Sequence, residues 1–294
     1  MDYPKSVANV GLVDGKFVDE DTASGTVGSL IPAEWGNAVT DEILNVIKSA
    51  GLTPDESNAG QLLAAITKNT KGRLVSAKLI TTNGLYTPTA GTKLVEVDIV
   101  GGGGGGGGCA ATAAGQYASS SGGGGGAYAK SLYTIDQIGA SQAITIGAGG
   151  AGGVSSGSGG NGGTTTFGSL MSAPGGVGGG GCLPVSTSST SISIPGGSPG
   201  TATGGNLLNS NGIYGTSGIA SPVNGSFGGP GGGSPLFGGG GGAQQAGNGP
   251  TVGYPATAPG AGGGGISTGT PGAAGVSKNG GAGASGAVLI REYA

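Results

Sequence analysis

Beyond residue 100 this chain of 294 residues offers few groups that could do chemistry. Lys130, Asp136, Lys278, Arg291 and Glu292 are the whole ionic complement of that stretch, joined by two thiols, Cys109 and Cys182. No histidine occurs anywhere. Glycoside hydrolysis commonly uses two positioned carboxylates, and Asp136 and Glu292 both lie in strand-like stretches. Two cysteines alone fall short of an ordinary zinc site. A GKS or GKT phosphate loop is absent, and GxGxxG matches carry no information against so glycine-rich a background. The residues therefore point away from catalysis, and no enzyme activity, cofactor or metal is expected.

The elements that would have to position any functional residue divide by composition. Residues 1–100 carry 12 acidic and 8 basic residues but only 10 of the 76 glycines. A boundary near residue 100 follows. Glycine-rich, uncharged segments are commonly disordered, but disordered chains are poor in apolar residues. Here Ile, Leu, Val, Tyr and Phe recur between the glycine runs. Formal charge is −3, and no arginine lies between Arg73 and Arg291, which excludes nucleic-acid binding through arginine–glycine repeats. No stretch approaches the ~20 apolar residues of a membrane span. The opening MDYPKSVANV lacks the basic and apolar regions of a signal peptide, so cytosolic synthesis is expected.

Residues 1–31 read as an irregular arm. Pro32 suits a helix start, and Trp35, Val39, Ile43, Val46 and Ala50 then form one apolar seam on a helix of about 32–50, closed by Gly51. Thr53 and Glu56 resemble a capping box for a second helix with Leu62, Leu63 and Ile66 on its apolar face. A seam this narrow is most useful where copies of the chain bury it against one another; a two-helix hairpin packed on the arm is the alternative. Residues 73–82 and 93–100 alternate like strands, as do AYAKSLYTI, QAITIG, TTTFGSLMSA and GAVLIREY.

The run of eight glycines at 101–108 raises the energetic question. Ordering it opposes folding by ~8–16 kcal/mol, with no side chain to bury in return. Polyproline-II geometry, with three residues per turn, turns N–H and C=O groups outward. Without Cβ atoms such helices can approach closely, and each hydrogen bond gained contributes ~0.5–1.5 kcal/mol. The sum balances only when many such helices surround one another, and about ten glycine-dense segments are present. The expected fold is therefore mixed: a small helical N-terminal region, then a β-strand base carrying a bundle of polyproline-II or polyglycine-II helices. If the runs alternate up and down, 101–108 and 175–181 both run upward and place Cys109 and Cys182 at similar height. A disulfide there closes a loop of about 70 residues, worth ~4 kcal/mol in the loop-entropy model. Two buried free thiols are the alternative, given cytosolic synthesis.

These residues resemble a family. The stretch LYTPTAGTKLVEVDIVGGGGGGGG, then GGGGGAYAKSLYTI, QAITIGAGGAGG, GGTTTFGSLMSAPGGVGGGG and the ending GAVLIREYA resemble the glycine-rich domain of bacteriophage tail fibres. Upstream, SVANVGLVDGKFVDED and SLIPAEWGNAVTDEILNVIKSAGLTPDESNAGQLLAAI resemble N-terminal regions of phage and prophage tail fibres. The resemblance implies a virion protein made in the host cytoplasm, with four parts: an attachment arm (1–31), a helical trimerisation region (32–72), a connector strand (73–84) and a receptor-binding domain (85–294). It implies a homotrimer, consistent with the seam of Trp35, Val39, Ile43 and Val46. The implied partners are other tail or baseplate proteins and a bacterial surface receptor: lipopolysaccharide, an outer-membrane protein or a pilus.

On that reading receptor contacts come from apical loops, where aromatic and amide groups give large area at low entropic cost. The candidates are Tyr117, Asn211, Tyr214, Phe227, Phe237, Gln244, Gln245, Asn248 and Tyr254. For each, the alternative is a side chain that covers the end of the bundle. A structural tail-tip cap and an antifreeze-like glycine-rich protein are the competing functions. The irregular loops and helical N-terminus count against the latter.

Overall fold

The computed structural model describes residues 8–70, 72–186, 192–221, 225–242, 252–269 and 273–294. The chain forms two compact units, Met1–Arg73 and Leu74–Ala294. In the first, the arm makes two tight antiparallel turns, bridged at Val13–Lys16 and Asp21–Thr26. Helix α1 (Ala33–Ser49) has Pro32 at its N-cap, where a missing N–H is harmless. Gly51, at φ +68°, ends the helix in the left-handed conformation that glycine tolerates. Helix α2 (Gln61–Asn69) packs on it through Ile47, Ala50 and Ala65.

The expected capping box at Thr53 and Glu56 does not form. Helix α2 starts later, after Gly60, without a side-chain cap. The carboxylate of Asp55 instead accepts bonds from the Ser57 N–H and hydroxyl, which closes a turn before the helix can begin.

The second unit begins with a five-stranded antiparallel sheet in the order β1 (Leu74–Ile80), β15 (Ala287–Tyr293), β3 (Leu94–Val100), β5 (Tyr128–Thr134) and β11 (Leu208–Ser210). Within the expected connector strand at 73–84, β1 pairs along β15 from Leu74–Tyr293 to Ile80–Val288. Strand alternation turns Val95, Val97, Ile99, Val288 and Ile290 to one face. A four-stranded sheet, β2 (Gly84–Tyr86), β6 (Gln142–Thr145), β7 (Thr165–Phe167) and β8 (Met171–Ala173), covers that face with Tyr86, Ile144, Phe167 and Met171. Between β5 and β6 lies a short helix α3 (Ile135–Ile138), capped by reciprocal bonds of Thr134 and Gln137.

From this base the chain rises and falls repeatedly through glycine. Strand β3 leads into 101–108, which ends at Cys109, and 120–127 returns to β5. The central run is bonded with a period of three. The N–H groups of Gly101, Gly104 and Gly107 donate to Ala127, Gly124 and Ser121 on one descending segment. Those of Gly102, Gly105 and Gly108 donate to Gly163, Gly160 and Gly157 on a second, and those of Gly103 and Gly106 to Ala284 and Gly281 on a third. Its carbonyls accept from three ascending segments, at Gly176 and Gly179, at Gly150 and Gly153, and at Gly263. Six backbone neighbours therefore surround one glycine segment.

The fit leaves no room for side chains. A Cβ placed on any residue from Gly101 to Gly108 would lie 2.0–2.3 Å from a neighbouring carbonyl oxygen. On a peripheral segment, side chains return at every third position and face outward, as at Ala148, Ala151 and Val154. The three-residue phase that is invisible inside the central run is legible there.

Candidate functional site

Four of the five ionic residues beyond residue 100, Lys130, Asp136, Arg291 and Glu292, lie in the base. The Arg291 guanidinium bridges Glu96 and, at 2.8 Å, Asp98, while the Lys130 ammonium lies 3.0 Å from Glu96. The Tyr128 hydroxyl donates to Asp98. The Glu292 carboxylate accepts from the Tyr86 hydroxyl (2.8 Å), the Thr89 N–H (2.9 Å) and the Thr89 hydroxyl (2.6 Å). Burial pushes this carboxyl upward, but the Thr89 and Tyr86 donors outweigh it and hold the group below its ordinary range. Asp136 sits in the first turn of α3, where a carboxylate complements the helix dipole. Each of these groups has a structural partner or position, and the described residues contain no cluster of three or more metal-ligating side chains.

The opposite end of the glycine segments carries a different surface. Two small sheets form there. One has the order β14 (Ser267–Thr268), β4 (Gln116–Ser119), β9 (Val185–Ser186); the other is β10 (Ile192–Ile194), β12 (Gly218–Ser221), β13 (Gly225–Phe227). Beneath them Cys109, Ala118, Cys182 and Ile266 form a small core against which Ile194 packs. Outside it, Ile219 and Phe227 face each other across β12 and β13, 48% and 42% exposed. Leu183, Val276 and Val154 are exposed at the same end. Lys278, the one charged residue between Asp136 and Arg291, is only 3% exposed. Among the described residues the apex thus exposes no charged side chain, and its outer surface mixes these apolar groups with hydroxyls such as Ser186, Ser193 and Ser277.

The structure scatters the aromatic and amide residues expected at this end. Phe227 is there. Tyr117 belongs to β4 and is 1% exposed, so it covers the end of the bundle and does not reach solvent. Asn211 lies at the base end, directly after β11. Tyr214 is exposed on the flank, because 211–217 is itself an ascending segment whose Ile213 and Thr216 carbonyls accept from Gly125 and Gly122. The stretch 206–227 is thus not one apical loop. Phe237 closes a base-end turn in which Ser234 and Gly238 exchange backbone bonds. Tyr254 is exposed on the upper flank, its carbonyl accepting from Gly264. Gln244, Gln245 and Asn248 lie outside the described residues.

Sequence reasoning did not single out the exposed apical residues Ile219, Leu183, Val276 and Val154. Their signal was position, since Leu183 and Val154 each follow closely on the end of an ascending glycine segment. Cys109 and Cys182 are paired in the backbone, as their expected common height requires, and both are free, buried thiols.

In the first unit, the four seam residues part company. Trp35 meets Phe17 edge-on at 5.1 Å, and Val46 packs on the α1–α2 core. Val39 is half-buried and Ile43 exposed. No described helix is long and apolar enough to cross a membrane.

A family model described as a glycine-rich domain matches residues 81–293. The chain belongs to this glycine-rich domain family. No match was found among curated proteins. The glycine-rich domain match begins directly after β1 and ends with β15, so it takes in the base apart from β1, the bonded segments and the apex together.

Proposed function

We propose that this chain is a phage or prophage tail-fibre or tail-tip adhesin. Its first unit attaches to tail or baseplate proteins, and the apex of its glycine-rich domain binds a bacterial surface receptor. The observation that carries the reading is the contrast between a glycine scaffold whose central run is fully bonded and the varied, uncharged side chains, Ile219 and Phe227 among them, displayed at one end of it. Such a scaffold is rigid at little side-chain expense and sets loops side by side, as recognition on a rigid frame requires. The three-residue bonding period supports polyglycine-II geometry for the segments. Uncharged apical groups suit binding over catalysis, in line with the structural partners of Glu96, Asp98, Lys130, Arg291 and Glu292 in the base.

The active form is a homotrimer held through α1, with exposed Ile43 and half-buried Val39 in the contact. It is made in the host cytoplasm and carried on the virion. A stable monomer of the intact chain in sedimentation would remove the trimer.

The test of binding is adsorption of the full chain to intact cells of candidate Gram-negative hosts, against a variant with Ile219→Ser and Phe227→Ser. The adhesin reading expects binding by the parent and at least a tenfold loss in the variant at unchanged melting temperature. Attachment to tails with no binding to any strain would assign the protein as a structural cap.

A further inference from the structure

Cys109 and Cys182 are the only thiols of the chain, and the fold makes them neighbours. They form a parallel backbone bridge, in which the Cys182 N–H donates to Gly108 at 3.0 Å and the Ala110 N–H donates to Cys182 at 3.3 Å. Paired positions on adjacent extended chains lie about 4.8 Å apart, inside the ~4.4–6.8 Å range of Cα separations found in disulfides. Both side chains are buried in one cluster with Ala118 and Ile266. Each thiol is turned to a carbonyl, Cys109 to Ile266 at 3.1 Å and Cys182 to Leu183 at 3.0 Å. These are weak bonds; Ser120 also bonds Cys109 and the Ser119 backbone bonds Cys182, so rotating the two side chains toward each other gives up only weak thiol contacts.

We propose that the pair is the reduced form of a built-in cross-link: a small-molecule disulfide oxidises it to a Cys109–Cys182 bond that fastens together the two apical stretches which follow the ascending segments 101–108 and 174–181. Cys182, less deeply buried than Cys109, attacks one sulfur of the oxidant as a thiolate and displaces the first small thiolate. The Cys109 thiolate then attacks the Cys182 sulfur of the mixed disulfide and displaces the second. The protein loses two protons and two electrons, and the oxidant is reduced to two thiols.

Burial pushes the Cys109 thiol up to about 12 and raises Cys182 as well. Lys278, bridged to Cys109 from its other side, pulls Cys109 back only in part. Oxidation of the folded chain is therefore slow, and the bond forms efficiently when the oxidant is present as the apex closes.

The experiment refolds the full chain in a glutathione redox buffer and, separately, under excess dithiothreitol. The oxidised product is expected to be about 2 Da lighter, monomeric in its cross-linking, and closed to alkylation after denaturation. Its melting temperature should exceed that of the reduced chain by about 10 °C, from closure of a loop of about 70 residues. Cys109→Ser and Cys182→Ser, treated identically, should lose the mass change and the redox dependence of melting. The central comparison sets two redox states of one unmutated chain against each other, so it stands even if a variant misfolds. Folded protein from the oxidising buffer that, once denatured, still alkylates at both cysteines would overturn the proposal, as would bonds formed only between chains.

Discussion

The base and the glycine segments of the second unit exclude water by opposite means. In the base, strand alternation brings Val95, Val97, Ile99, Val288 and Ile290 against Tyr86, Ile144, Phe167 and Met171, and burial of side chains supplies the driving force. At 101–108 there is nothing to bury but backbone, and every N–H of the run is bonded to another segment. The first design tolerates a change of volume by partial relaxation. The second has no slack, because the atom beyond each Cα is a carbonyl oxygen of a neighbouring segment. A protein that combines them can be soft in its side-chain core and brittle in its backbone core.

The sharpest way to break that comparison is one methyl group. Gly105→Ala would set a Cβ 2.0 Å from the Ala151 carbonyl oxygen. It would also prise apart the bonds from Gly105 to Gly160 and from Gly179 to Gly105. Loss of the folded domain is expected, or a destabilisation above ~5 kcal/mol, larger than most core truncations. Gly84→Ala is the control, since nothing lies within 4 Å of its Cβ position; it should stay within about 0.5 kcal/mol of the parent. Equal melting temperatures for the two variants would mean that the central run is not close-packed.

Next in size is Phe167→Ala in the side-chain core, fully buried against Tyr86 and Tyr133. A cost of about 3–5 kcal/mol, read as a lower denaturant midpoint in a chain that still folds, is expected. A complete failure to fold would put the base on the same brittle footing as the glycine segments.

Within the second unit, acid should act on the base and not on the glycine segments. The pKa of Glu292 is held below its ordinary range in the folded protein, so its contribution to stability is present in full above the usual carboxylate value of ~4.3. That contribution is lost as pH falls through the lower, folded-state value. Melting temperature should therefore decline on acidification below about pH 4.3. Glu292→Gln should be less stable at neutral pH and show a flatter acid limb. An unchanged acid limb in that variant would remove Glu292 as the group responsible.

The smallest expected effect is a null one at the apex. With Lys278 buried and no other charge between Asp136 and Arg291, receptor binding should change by less than about twofold between low and high salt, because screening acts on exposed charges. A steep decline of adsorption with salt would move the binding surface to the charged part of the chain.

Much of the architecture was legible beforehand. The β3 and β15 pattern of alternating apolar residues announced the base, and the spacing from Trp35 to Ala50 announced α1. The six-neighbour bonding was foreshadowed by energetic necessity, since eight glycines order only in company. The start of α2 was not legible, because Asp55 had a competing local turn to offer its backbone. The site was read least well. Tyr117 and Phe237 are aromatic residues near glycine like Phe227, yet the count of ascents and descents sends Phe237 to the base, and of the two at the apex Tyr117 is buried in β4 while Phe227 is exposed.

The sequence by itself determined the two-part composition, the scarcity of charge along the glycine-rich part and the need for a lattice, because these follow from residue types and from the entropy of ordering glycine. Which residues meet at the apex, and that Cys109 lies beside Cys182, was decided only by the tertiary structure. Hydrogen bonds of period three can join any two glycine segments equally well, so local sequence is silent on neighbours. The strands at both ends, with their side-chain registers, choose among the pairings.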